Sequence, residues 1–329
     1  MSIKLSQHET SDKNYVPSQA MQARINRLYI NQDAIDEFEA SEDAASIKSA
    51  LSFQDELINR ILGDEELQGA KLPWVKTHDK IRFRKKELSL WSGYNGHKKS
   101  MMLGQVALDL ICQGEKVCIA SMELSPAQTL QRMCVQAIGN QRPGVEWILK
   151  FLNFLEGKLF IYDQQNSVAK DRILKMARYA CVKLKCNHAM IDSMMKCGIK
   201  PDDYGTQKQF INDLCSIAKD TDSHVHLVVH MRKPPEKHNH IPNRYDIAGG
   251  SDISNQADNI FICWSDIQKN HERNKPEQYR DQEIMERVCQ KLVVEKQRNG
   301  EFEGRLTLEF DTRSLQMFNG ATKKYYEQF

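Results

Sequence analysis

A glycine-bearing turn between a strand and a helix, closed by a lysine and a hydroxyl residue, can bind nucleotide phosphates. Residues 88–110, LSLWSGYNGHKKSMMLGQVALDL, carry this arrangement with one departure. Gly93 opens the turn, Tyr94, Asn95, Gly96 and His97 fill it, and Lys99 with Ser100 closes it. The usual spacing is G-x-x-x-x-G-K-[ST], and Lys98 stands where the second glycine belongs. In such a loop, successive backbone N–H groups and the helix N-terminus converge on the anion. Lys99 would reach the terminal phosphates of ATP or another nucleoside triphosphate, and the Ser100 hydroxyl would bind Mg2+. The second glycine tolerates positive φ, whereas a Cβ there risks roughly 1–3 kcal/mol of strain. Lys98 is therefore expected to weaken nucleotide binding or turnover, with steric blockage the most direct route.

Three more side chains at strand ends could complete the chemistry. Asp192 ends the apolar run HAMID, where a carboxylate can accept from Ser100 and hold Mg2+ through water. Glu123 follows KVCIAS and could orient an attacking water as general base. His230 ends HVHLVVH, where it could sense a γ-phosphate or transmit its loss. Each alone has a plainer reading, since strand-end acids cap helices and strand-end histidines are commonly hydrogen-bonded structure. Their joint placement favours a site.

The elements that must position these residues alternate from about residue 80. Strands are expected at LSLWSG, KVCIAS, KLFIY (158–162), HAMID, HVHLVVH and NIFICW (259–264), with helices at about 168–185 and 203–221. After Ser100, the apolar positions Leu103, Val106, Ala107, Leu110 and Ile111 follow helical spacing. Ser125, Pro126 and Gln128 form a capping box that starts the next helix. KLVVEKQR and RLTLEFD, joined at Asn299–Gly300, read as an antiparallel pair. Such alternation means an α/β fold, a mainly parallel sheet covered by helices on both faces, with ligands at the carboxyl ends of its strands. Residues 1–45 read as a polar arm, and 46–74 as an amphipathic helix and connection ahead of the domain over 75–329. The mixed-charge stretch 265–290 reads as a solvated insertion.

Composition limits the alternatives. Lys and Arg number 46 against 44 Asp and Glu, a net charge of +2, so any nucleic-acid surface must be local. There is neither an apolar run of about 18 residues nor a signal-peptide h-region, which argues against both a membrane span and a signal peptide, and no membrane partner is expected. The nine cysteines never form C-x-x-C, which fits buried thiols in a reducing cytoplasm better than a disulfide framework or a zinc site.

SGYNGHKKS, ASMELSPAQTLQRM, HAMIDSM, HLVVHMRKP, GGSDISNQADNIF and VVEKQRNG occur in an order that resembles ring-shaped replicative DNA helicases of the DnaB type. The likeness spans roughly residues 75–318 and is greatest to the phage primase-helicases and mitochondrial Twinkle. The resemblance implies a RecA-like motor in a homo-oligomeric, hexameric ring that translocates 5′–3′ on single-stranded DNA. It implies Glu123 as catalytic base, Asp192 as the Mg2+-binding acid, His230 as sensor, and Lys296 with Arg298 as fingers reaching a neighbouring subunit's nucleotide. On a strand, those last two point to one side; as an edge pair they could equally discourage aggregation. The resemblance places DNA-contacting loops at about 196–206 and 244–256. There Gly249, Gly250 and Ser251 could offer backbone N–H groups, Lys200, Lys233 and Arg244 charge, and Asn255 a further contact; an ordinary glycine-rich turn is the plain reading. The helix at 47–62 lies where the family has a subunit-swapped linker helix. No primase-like domain precedes the motor, so it reads as a stand-alone helicase or as the partner of a separate primase or loader, and the resemblance implies a bacterial or phage-infected cytoplasm. Two rivals stay open: a nucleotide- or DNA-binding ring protein without effective ATPase, and a RecA-type recombinase or remodelling ATPase.

Overall fold

The computed structural model of the protein describes residues 18–19, 32–62, 68–232, 240–249 and 251–329. The chain divides into two units, Met1–Glu66 and Leu67–Phe329. In the first, α1 (Gln32–Glu39), α2 (Glu42–Ser46), a 3-10 turn (Ala50–Phe53) and α3 (Gln54–Leu62) follow one another. The arm expected over 1–45 is thus helical in much of its described part. The helix expected beyond it is divided at Ser49, whose extended backbone starts the short turn. Leu57, Ile58, Ile61 and Leu62 of α3 are exposed.

The second unit is built on nine strands: β1 (Glu87–Ser92), β2 (Val117–Ser121), β3 (Leu159–Ile161), β4 (His188–Asp192), β5 (His224–Val228), β6 (Asn259–Ser265), β7 (Gln290–Gln297), β8 (Gly304–Asp311) and β9 (Gln316–Phe318). Their order is β3-β2-β4-β5-β1-β6-β7-β8-β9. The first six are parallel, and β6 to β9 pair antiparallel. Strand periodicity divides the side chains between two cores. Trp91, Phe261 and Cys263 face one; Leu88, Leu90, Ile260 and Ile262 face the other.

α4 (Lys99–Cys112), α5 (Pro126–Ile138) and α6 (Val145–Leu155) cover the first face, and α7 (Lys170–Val182) and α8 (Tyr204–Asp220) the second. The five apolar positions expected along α4 are all buried. The capping box also forms: Ser125 Oγ accepts from Gln128 N at 3.2 Å, while Gln128 Oε1 accepts from Ser125 N at 3.1 Å. Three short helices complete the unit, α9 (Ser251–Gln256), α10 (Ile267–Arg273) and α11 (Gln282–Glu286).

The stretch 265–290 is solvated over most of 274–283, as expected, but its first part turns inward. Asp266, Lys269 and Glu272 are buried, and Asp266 Oδ1 caps α10 by accepting from Lys269 N. Lys269 Nζ donates to the carbonyl of Arg287, which closes the excursion on itself. Lys275 pairs with Glu272 at 2.9 Å and Arg287 with Glu283 at 3.3 Å, and the first helix becomes a wall beside the glycine turn.

Candidate nucleotide site

The parallel strands β1, β2, β4 and β5 end side by side, and the expected residues lie at or just beyond those ends. β5 lies between β1 and β4, so His230 emerges between the glycine turn and Asp192. A cavity of about 350 Å³ there is lined by Asn95, Gly96, Lys98, Lys99, Ser100, Met101, Glu123, Arg132, Asp192 and His230.

The turn keeps its shape through its first glycines. Gly93 has φ +150°, and an added Cβ would stand 2.3 Å from the Cys263 carbonyl oxygen, so β6 excludes any side chain. Gly96 also has positive φ, +81°. Tyr94 and His97 are buried in the turn's wall, with their rings edge to face. His97 Nδ1 accepts from Ser265 N at 3.2 Å. Burial, then the positive charges of Lys99 and Lys98, lower its pKa to about 4. His97 and Tyr94 therefore shape the loop with their side chains.

Lys98 occupies the left-handed region, φ 61° and ψ 29°, as N-cap of α4. The conformation favoured by glycine is thus retained, at the strain anticipated for a residue with a Cβ. The expected blockage by its side chain takes a different form. The ammonium donates to Ser265 Oγ at 3.0 Å and lies 4.7 Å from the centre of the Phe310 ring. Burial lowers its pKa to about 8. Lys98 also borders a second cavity, of about 310 Å³, walled by Ile267, Asn270, His271, Arg273 and Phe310 among others.

Lys99 Nζ donates to the carbonyls of Gly93 at 2.8 Å and Tyr94 at 3.1 Å, so the cation is folded onto its own loop. Burial lowers its pKa, against the pull of Cys263, Asp192 and Glu123. Ser100 Oγ donates to Asp192 Oδ2 at 2.5 Å. Burial pushes Asp192 up to about 6, opposed by that hydrogen bond. A hydroxyl and a buried carboxylate beside a lysine at a helix N-terminus fit a Mg2+–triphosphate donor set.

Glu123 is about a third exposed and lies 3.5 Å from His230 Nε2. Between them stands Ser193, which the sequence reading did not single out. Its Oγ donates to Glu123 Oε1 at 3.1 Å and lies 2.9 Å from His230 Nε2. Arg132, on α5, was missed as well; its charge favours the ionised form of Asp192. A basic residue one helix turn beyond a capping box gives no local cue to a site.

Lys296 and Arg298 meet on their own chain. Lys296 Nζ donates to the carbonyls of Ser254 and Asn255, and Arg298 to those of Asn255 and Gln256. Arg298 also pairs with Asp258 at 3.1 Å. Both cations thus serve the carbonyl end of α9, where positive charge is favoured.

The two segments expected to meet DNA come together on α8. Gln207 Nε2 donates to the carbonyls of Lys200 and Pro201, both at 3.0 Å. Gly249 has φ +108°, a conformation that favours glycine, and it packs against Ile253 and Gln207. Lys208 pairs with Asp252 at 3.2 Å. Lys200 and Asn255 are exposed, and the Arg244 guanidinium lies 5.4 Å from the Tyr245 ring centre. Lys233 and Gly250 lie outside the described residues, as does the side chain of Ser251. The His230 carbonyl accepts from Ala248 N at 2.9 Å, which ties the site to the second segment.

The sheet order, glycine turn and strand-end carboxylates define a phosphate-loop NTPase of the RecA-like class. The DnaB-like helicase C terminal domain model matches residues 79–319, and the chain belongs to that family of ATP-dependent replicative helicases. Two solved structures share the fold. One, described as an ATPase domain, has 17% identity and a TM-score of 0.65, covering 85% of this chain and 99% of that one. The other, described as a DnaB-like replicative helicase and its interactions with primase, has 18% identity and a TM-score of 0.67, covering 91% and 74%.

Proposed function

We propose that this chain is the motor of a ring-forming, hexameric DNA helicase that hydrolyses ATP between subunits and moves 5′–3′ along single-stranded DNA. The observation that carries this reading is the convergence of Lys99, Ser100, Asp192, Glu123 and His230 on one cavity. Lys99 leaves the Gly93 and Tyr94 carbonyls to meet the terminal phosphates. Ser100 and Asp192 would hold Mg2+, which would supply the charge that offsets the phosphates. Glu123 takes a proton from water, and His230 reports phosphate state to residues 244–256 through Ala248. The segments that carry Lys200, Lys233, Arg244, Gly249, Gly250, Ser251 and Asn255 contact the DNA. Residues 46–74 link the motor over 75–329 to the preceding arm, and exposed apolar residues of α3 dock on a second copy. A separate primase or loader acts with the ring in a bacterial or phage-infected cytoplasm.

Lys296 and Arg298 act on the neighbour's nucleotide, after exchanging the α9 carbonyls for its phosphates. Lys98 makes this phosphate loop weaker than one with glycine. The strain of its left-handed backbone lowers stability, and crowding at the cradle lowers affinity. ATP hydrolysis with and without single-stranded DNA, followed by unwinding of a forked duplex, tests the proposal. DNA-stimulated hydrolysis with strand separation is expected. Hydrolysis without unwinding would assign the chain to translocating or remodelling ATPases, and no hydrolysis would remove the motor reading.

A further inference from the structure

We infer that Ser193 is a positioning residue that anchors Glu123 and joins it to His230. The inference rests on the ATPase reading of the site. Ser193 follows the Mg2+-binding acid directly and is fully buried. Its hydroxyl proton goes to Glu123 Oε1 at 3.1 Å, so its lone pairs face His230 Nε2 at 2.9 Å. An oxygen that donates to the carboxylate must accept from the imidazole, so the neutral ring carries its proton on Nε2. The relay therefore runs from His230 Nε2–H to Ser193 Oγ–H to Glu123.

Glu123 needs such an anchor because its side chain is partly exposed and has freely rotating bonds. With Oε1 held, Oε2 is the oxygen left to meet a water in the cavity. Burying a hydroxyl costs free energy unless its hydrogen bonds are made, and both of the Ser193 hydroxyl's bonds go to residues of this site. The opposite end of the relay is fixed as well. The His230 carbonyl accepts from Ala248 N, and Met231 bridges Ile247, so movement of residues 244–256 is felt at the imidazole. Ser193 thereby places the base under the influence of the segment proposed to touch DNA.

Steady-state ATPase of Ser193→Ala and Ser193→Thr, with and without single-stranded DNA, tests this, together with nitrogen NMR of histidine-labelled protein. Ser193→Ala should lower kcat about ten- to a hundredfold, the scale of a displaced catalytic group, leave KM for ATP unchanged and reduce stimulation by DNA. Ser193→Thr, which keeps the hydroxyl, should restore most of kcat. In the wild type, the His230 signal should show the Nε2–H tautomer, and Ser193→Ala should perturb it. Unchanged kcat in Ser193→Ala, or an Nδ1–H tautomer in the wild type, would overturn the relay. If the wild type hydrolyses no ATP, the ATPase reading fails, and the NMR result still decides whether Ser193 holds His230 as described.

Discussion

The two ends of one sheet use the same residue types to opposite effect. At the amino ends of β4 and β5, His188, His224 and His226 are buried beside Phe83. Trp91 Nε1 donates to His226 Nδ1 at 3.2 Å, and His226 Nε2 meets His188 Nδ1 at 3.1 Å. Ser89 bonds His224 at 2.8 Å. Nearby, Glu87 accepts from Asn259 and Asn299, both at 2.8 Å. There each of these side chains has a partner within the fold, although Asn259 Oδ1 has none. At the carboxyl ends, Lys99, Glu123 and Asp192 line a cavity instead. A buried polar group closed by internal partners contributes structure, whereas one held at a cavity wall keeps capacity for a ligand.

Acid should separate the two ends most clearly. Burial lowers His188 and His226 well below the usual value and holds His224 at about 4. Because the unfolded chain takes up these protons first, stability is full above about pH 6.5 and falls as pH drops toward 4. Each histidine should remove up to about 1.4 kcal/mol per pH unit in that window. Urea midpoints at pH 7, 6 and 5 read the slope, and a flat profile would contradict the neutral cluster.

Substitutions at the carboxyl ends, and at the proposed fingers that close β7 beside the amino end of β6, should strike turnover more than stability. In a ring, Arg298→Ala should lower ATPase about a thousandfold, and mixing it with Lys99→Ala should recover activity, since some interfaces then combine an intact loop with an intact finger. No recovery would leave Arg298 only its clamp on α9 and Asp258. Glu123→Gln should lower kcat about a hundredfold or more while retaining nucleotide binding and the thermal midpoint. A large fall in the midpoint would place Glu123 with the structural groups. Lys98→Gly is the smallest: about 1 kcal/mol more stability from relieved strain, and a lesser gain in nucleotide affinity measured by titration calorimetry.

Local signals in the sequence carried far. The α5 capping box, the α4 stripe and the β7–β8 hairpin depend on neighbours a few residues apart, and all three form as read. α6 escaped notice because VEWILKFLNFL is apolar on nearly every side; Phe151 and Leu155 are buried while Val145, Leu149 and Leu152 are exposed. Ser193 and Gln207 escaped because their partners lie on other elements, and serine or glutamine alone announces nothing. The start of the 265–290 stretch turns inward because Asp266 and Lys269 find backbone partners by folding back, which composition does not record.

Periodicity and turn chemistry are local, so the amino-acid sequence already specified the order of strands and helices, the phosphate-loop spacing and the strand-end placement of Glu123, Asp192 and His230. The folded sheet was needed to lay Lys98 on Ser265 and Phe310, to clamp α9 with Lys296 and Arg298, and to set Ser193 between Glu123 and His230. Those outcomes depend on which strands pair and how closely they approach, and hydrogen bonds over such separations in sequence exist only once the sheet has formed.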